Sequence, residues 1–238
     1  EIVGIWEPAT RETVKTVREV YDELRAQGIR VTLLRLPVTD EQSPSAEDFD
    51  ALVSVLLPSI ATHMDRRETL SFVFNCQMGR GRTTTGMVIC CLLIGLVIPE
   101  YYDELNNRYD PLFKPDDSPL SRGEYSCIVQ LKRVLTGGRQ AKLQVDLVLE
   151  VCAKMQNLRT AIESFALQVK SPDVTESQRG RAHHHGVHYL RRYFNLITFA
   201  AYLQEEYNSM KKMMRSTYSS WLAQRPELTT LCDSASLK

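Results

Sequence analysis

Residues 72–86 read Phe-Val-Phe-Asn-Cys-Gln-Met-Gly-Arg-Gly-Arg-Thr-Thr-Thr-Gly, an apolar run that ends in Cys76 and a loop that ends in Arg82, with five residues between them. Leu70–Phe74 is short and nearly all apolar, the pattern of a strand buried on both faces of a parallel sheet. Behind the loop, Met87 to Ile98 is apolar throughout except for Gly95, so a helix is expected from about Thr83 to Val97. Those twelve residues fall short of the roughly 20 that cross a bilayer, so the helix is read as buried.

A loop between a buried strand and a helix suits a tetrahedral anion. Gly79 and Gly81 can take backbone angles closed to other residues. Successive N–H groups can then turn inward over the positive end of the helix. Arg82 adds a planar, permanently charged fork for two phosphate oxygens. Gln77, Met78, Gly79, Arg80, Gly81 and Arg82 are therefore the expected phosphate-binding loop. The same donors favour thiolate at Cys76, bringing its pKa from about 8.5 into the roughly 3.5–7.5 range of activated cysteines. A thiolate beneath a bound phosphate is an in-line nucleophile, and the product is a phosphocysteine that water hydrolyses. Thr83 can donate its hydroxyl to the sulfur and make it a better leaving group. A nucleotide-binding loop would need G-x-x-x-x-G-K-[ST]. Here arginine replaces the lysine and Cys76 stands where the first glycine belongs, which excludes that reading.

The mechanism also needs an acid for the departing oxygen, a contribution of about 10²–10⁴-fold. Asp40, just after a predicted strand, is the candidate, with Glu41 as its local competitor. Asp48 and Asp50 fall inside the next helix, as cap and surface charge.

The rest of the chain frames this loop. Val14, Val17, Val20, Tyr21 and Leu24 recur at helical spacing between Thr10 and Gln27, and Gly28 stops them. Ile29, Val31 and Leu33 alternate with polar residues and continue to Leu36, a strand ended by Pro37. After a loop to Ser45, a capping box of Ser45 and Asp48 opens a helix with Phe49, Leu52, Val53, Leu56, Leu57, Ile60 and Met64 inward. Helix, strand, helix, strand, loop and helix in that order predict an α/β layer fold. Beyond Pro99, a polar connection (107–123) leads to a helix around Ile128–Leu135. A break at 136–138 precedes one long helix carrying Leu143, Leu147, Val151, Met155, Leu158 and Ile162. Residues 171–182 read as a mobile linker and Gly186–Met214 as a last helix packing back. The expected organisation is a phosphatase domain over 1–170, with linker and C-terminal helices over 171–238.

Lysine plus arginine and aspartate plus glutamate both total 29, so no overall field advertises nucleic acid or a membrane, and any anion site is local. Six cysteines without a CxxC pair read as reduced thiols, which points to the cytosol. Cys90 and Cys91 read as core. His183, His184, His185 and His188 have no partner ligands at metal spacing and read as a solvated stretch. No cofactor or metal is expected. A start at Glu1 is expected of a piece of something longer.

The two segments Arg35-Leu36-Pro37-Val38-Thr39-Asp40 with Pro44, and Cys76 to Met87, resemble the cysteine-dependent phosphatase superfamily. Within it they are similar to the protein-tyrosine-phosphatase-like inositol phosphatase branch, whose acid loop reads R-[IL]-x-x-T-D-x-x-x-P. Residues 123–135, 155–162 and 189–203 extend the likeness. The resemblance implies a protein-tyrosine-phosphatase-like fold, a central mostly parallel sheet flanked by helices, with Asp40 as general acid. It implies a phosphorylated substrate (phosphoinositide, inositol phosphate or phosphoprotein) and other domains of the same longer chain as partners, and leaves peripheral membrane contact open. Members are described both as phosphoinositide phosphatases and as pseudophosphatases, so a phosphate-binding scaffold is the alternative to an enzyme. Two positions depart from the branch. Asn75 stands where histidine usually precedes the nucleophile, and Glu41 stands where histidine often follows the acid.

Overall fold

The computed structural model describes residues 8–10, 12–66, 69–98, 100–108 and 118–237. It divides into two compact units, Glu1–Pro37 and Val38–Lys238. In the first, helix α1 (Val17–Ala26) begins at Thr16, whose hydroxyl caps the Glu19 N–H while the Glu19 carboxylate accepts from the Thr16 N–H. No residue of α1 is buried. The chain from Ile29 to Pro37 carries no regular secondary structure.

The second unit is helical. Helix α2 (Ala46–Arg66) buries Phe49, Leu52, Val53, Leu56, Leu57 and Ile60, most of the predicted stripe, while Met64 at its end is exposed. It packs on α3 (Gly81–Val97), the apolar helix behind the phosphate loop, which buries Val88, Ile89, Leu92 and Leu93. Helices α4 (Tyr101–Arg108), α5 (Ser126–Val134), α6 (Gly138–Val151) and α7 (Leu158–Lys170) follow. Helix α8 (Glu176–Glu206) runs through the middle, packed on α3, α5, α6 and α7. Phe49 of α2 meets Phe199 of α8 at 4.7 Å between rings, and Tyr218 of α9 (Tyr218–Ala223) closes the cluster at 5.1 Å from Phe49. Helix α10 (Pro226–Asp233) ends the chain's regular structure.

Three expectations are corrected. The central parallel sheet is not formed among the described residues: the strands are β1 (Tyr207–Asn208) and β2 (Met213–Met214), one antiparallel pair after α8. The segments 29–36 and 70–74 carry no regular secondary structure and join no ladder. In the latter, Phe72, Phe74 and Cys76 are half-buried, while Val73 between them is 87% exposed. That period-2 burial is one-sided, so the segment lies as a strap on helices rather than inside a sheet. Second, the long helix expected through Ile162 is two helices. Cys152 ends α6, and Asn157 starts α7 by accepting from the Arg159 and Thr160 N–H groups. The buried face of α6 carries Ala141, Val145, Val148 and Leu149, leaving Leu143 63% exposed. Third, most of the expected linker is helix. Thr175 and Gln178 form a capping box, and α8 starts at Glu176 and stops at Glu206.

Beneath α8 lies a network of buried charge. Asp146 of α6 accepts from Lys142 at 2.6 Å and from the Tyr193 hydroxyl of α8 at 2.5 Å, and its carboxylate lies 3.5 Å from Arg159 of α7. Arg159 also pairs with Glu150. The network ties α6, α7 and α8 together, the scaffold on which α3 rests.

Candidate active site

The strap before Cys76 is held by its aromatic side chain. Phe74 lies flat enough on α3 that a Cβ added at Gly86 would fall 2.6 Å from its ring. Only glycine allows that approach, so Gly86 fixes where Cys76 enters the loop. Gly79 then takes φ +68°, the left-handed region that turns the chain back toward the sulfur. Arg80 makes no side-chain cap at the start of α3. Its carbonyl accepts from both the N–H and the hydroxyl of Thr84, each at 2.8 Å. The first turn of α3 is thereby fixed with its N–H groups beside Cys76.

Two opposed effects act on that thiol. Burial pushes its pKa up; the Thr83 hydroxyl, 3.2 Å from Sγ, and the backbone N–H groups of Thr83, Arg80 and Met78 push it down. The donors win, and Cys76 is held down at about 6. Cys90, further along the chain, behaves oppositely: burial pushes it up to about 12. Near pH 7 Cys76 is therefore mainly thiolate.

Arg82 sits beside the loop, a quarter exposed. Its Nη1 donates to the Val38 carbonyl at 3.3 Å, and its Nη2 lies 3.2 Å from Asp40 Oδ1. Its Nε is buried without a hydrogen-bond partner among the described residues. A buried guanidinium N–H left unmet is costly, and an oxyanion at the loop is the chemistry that would meet it. Asp40 is 61% exposed, on the loop that Arg82 holds. The structure thus pairs Cys76 with Thr83 and Arg82 with Asp40. Gln77, Met78 and Arg80, the other expected loop residues, have exposed side chains.

Two residues near the loop were not anticipated by motif. Arg192 of α8 and Gln156, just before α7, approach Gly81: a Cβ added there would stand 3.1 Å from Arg192 Nη1 and 3.5 Å from Gln156 Oε1. Both lie in sequence that reads as helix packing, and only the packing of α8 against the start of α3 reveals them. The histidine stretch also gains a setting: His184 and His188 meet edge-on, and His185 reaches Glu41.

The sequence has counterparts among known proteins. Residues 1–94 match the PTP-like phytase family, described as inositol hexakisphosphate. Paladin of Mus musculus is 30% identical over 215 residues, 87% of this chain and 23% of the relative. This chain is paladin-like. Paladins of Xenopus tropicalis and Homo sapiens are each 29% identical, over 89% of the chain. The chain spans only 23–24% of the length of these paladins. No solved structure gives a significant match. The family match ends within α3, whereas the paladin matches cover 87–89% of the chain and so include most of the helical half. The chain is a cysteine-dependent-phosphatase-like protein.

Proposed function

We propose that this chain is a phosphomonoester hydrolase that uses Cys76 as nucleophile and acts on inositol phosphates or phosphoinositides. The observation that carries the reading is the sulfur itself, held at about 6 by one hydroxyl and three backbone N–H groups. Phosphate oxygens sit on the loop N–H groups and on the fork of Arg82. The Cys76 thiolate attacks phosphorus, the P–O bond to the leaving group breaks, and Asp40 gives that oxygen its proton. Water then attacks the phosphocysteine, Asp40 takes a proton from it, and Cys76 leaves as thiolate with Thr83 donating to the sulfur. A dianionic phosphate would engage Arg82 in place of Asp40, freeing the carboxyl to carry its proton. The substrate class is supported by the description of the matched family and by the exposed Arg80, a second cation for an added phosphate.

A second reading is a phosphate-binding scaffold with little turnover. Asn75 in place of histidine favours it, and so does the contact of Asp40 with Arg82, which occupies part of the fork. A phosphate-release panel separates them: soluble inositol phosphates, phosphoinositides in vesicles and phosphotyrosine peptides, each with Cys76→Ser and Asp40→Asn as controls. Release from inositol-based substrates, abolished in Cys76→Ser and strongly reduced in Asp40→Asn, is expected. Binding of phosphate without release would install the scaffold instead. A preference for the peptides would replace the substrate class with phosphoprotein.

A further inference from the structure

His185, Arg192 and Asn195 of α8 stand at i, i+7 and i+10, within one side of the helix. They meet three successive residues of the loop that carries Asp40, in order. His185 Nδ1 lies 2.5 Å from Glu41 Oε2, by proximity rather than through an aligned hydrogen bond. Arg192 Nη2 donates to the Gln42 carbonyl at 3.2 Å. Asn195 Nδ2 donates to Ser43 Oγ at 3.0 Å. Pro44 behind them is buried.

The residue so gripped is in a costly conformation. Glu41 has φ +63°, a left-handed backbone that a glutamate adopts only when its surroundings impose it. Its N–H donates to Asp40 Oδ1 at 3.1 Å, so the strained residue directly orients the carboxyl.

Arg192 is the centre of the grip. It is 1% exposed and is stacked against the Tyr189 ring at 4.8 Å, yet it makes no ion pair among the described residues, and its Nε is buried without a hydrogen-bond partner. Asp40 and Glu41 act on it as attracting charges and Arg82 as a repelling one. Its guanidinium also approaches Gly81, the first residue of α3, where an added Cβ would stand 3.1 Å from Nη1. A hydrophobic side chain would fill such a space at lower cost than an unpaired guanidinium. What a hydrophobe could not do is join the Gln42 carbonyl to the start of the phosphate loop's helix.

We propose that Arg192, with Asn195 and His185, is a positioning set that clamps the loop of Asp40 against the start of α3 and so fixes Asp40 for proton donation. The proposal rests on the reading of Asp40 as general acid, and its test separates the two. Arg192→Met and Asn195→Ala are assayed on aryl phosphates with a good leaving group (p-nitrophenyl phosphate) and a poor one (phenyl phosphate). General-acid help matters for the poor leaving group. Expected is a loss on the order of 10²-fold in kcat on phenyl phosphate, the low end of a general acid's contribution, with a few-fold loss at most on p-nitrophenyl phosphate. In an Asp40→Asn background neither variant should add a further loss, and Arg192→Lys should restore part of the rate. Equal losses on both substrates, or full additivity with Asp40→Asn, would overturn the positioning role. Asn195→Ala covers the case in which Arg192→Met does not fold. Amide hydrogen exchange is followed in the same variants. Residues 40–43 should lose protection while α3 keeps its own, and unchanged exchange there overturns the clamp. A wild-type chain without turnover would sink the reading of Asp40 as acid. The exchange measurement still decides the clamp in that case.

Discussion

At the residue scale the decisive quantity is the charge state of one sulfur. Cys76 at about 6 has a folded pKa below the unfolded value of about 8.5. Its ionisation therefore favours the folded state fully above the unfolded value, and that contribution is lost as pH falls through 6. Alkylation by iodoacetamide should follow the thiolate, with a midpoint near pH 6 read by mass spectrometry on the Cys76 peptide. Thr83→Val keeps the shape and removes the hydroxyl donor, so the midpoint should move up toward an ordinary thiol. An unmoved midpoint would mean the backbone N–H groups alone set the value. Cys90, pushed up to about 12 by burial, and Cys127, raised to about 11, should stay unmodified at pH 7. Cys91 is the internal comparison: a hydrogen bond from the Cys152 thiol brings it to about 7, but on α3, away from the loop. Vanadate or phosphate should shield Cys76 and leave Cys91 as it was. This much was legible from sequence, because the groups that act on the sulfur, the Thr83 hydroxyl and the backbone N–H groups of Met78, Arg80 and Thr83, lie within seven residues of it.

At the element scale, legibility stops where partners are distant. The apolar stripe of α2 could be read because a helix's own period shows which face turns inward. The stripe of α6 misled, because Leu143, Leu147 and Val151 form one helical row while the helix buries the neighbouring row of Val145, Val148 and Leu149. Nothing local says which of two adjacent rows meets α8. The alternation in 29–36 and the apolar run of 70–74 read as strands, but neither is one, because a ladder requires a second strand that a local pattern does not name. Arg192 was invisible for the same reason, being brought to Gly81 by the packing of a helix more than a hundred residues later. Two predictions belong here. Gly86→Ala puts a methyl into the Phe74 ring, so the strap must lift. Overpacking of this kind typically costs about 1–3 kcal/mol, and Cys76 alkylation should lose its low midpoint as the loop shifts. Asp146→Ala leaves Lys142, Arg159 and the Tyr193 hydroxyl without their shared acceptor in the interior. Breaking a buried ionic network from one side costs roughly 3–5 kcal/mol, which urea unfolding would register as a lower midpoint with little change in slope. Asp146→Asn, which keeps an acceptor oxygen, should lose less.

At the scale of the whole molecule the two units differ in what sustains them. In Val38–Lys238 the buried side chains of α2, α3, α6 and α8 form one continuous core, and the candidate site lies at its edge, where α3 starts and α8 passes. In Glu1–Pro37 the ten-residue α1 buries no side chain. Its strength is local: the Thr16–Glu19 capping box and the Lys15–Glu23 and Asp22–Arg25 pairs, all at the surface. Exposed pairs contribute about 0–1 kcal/mol each, and isolated helices shorter than roughly 12–15 residues are marginal in water. Amide hydrogen exchange on the whole chain should show this as a gradient. The amides of Val17–Ala26 should exchange within about tenfold of unstructured rates, as expected where opening costs almost nothing. Those of α8 from Leu190 to Leu203, where most side chains are buried, should exchange only as slowly as global unfolding permits. The salt response should differ as well: raising ionic strength screens the pairs on α1 and speeds its exchange, while exchange in the apolar centre of α8 stays put. Protection of α1 equal to that of α8 would show that burial on this helix is not what governs its stability.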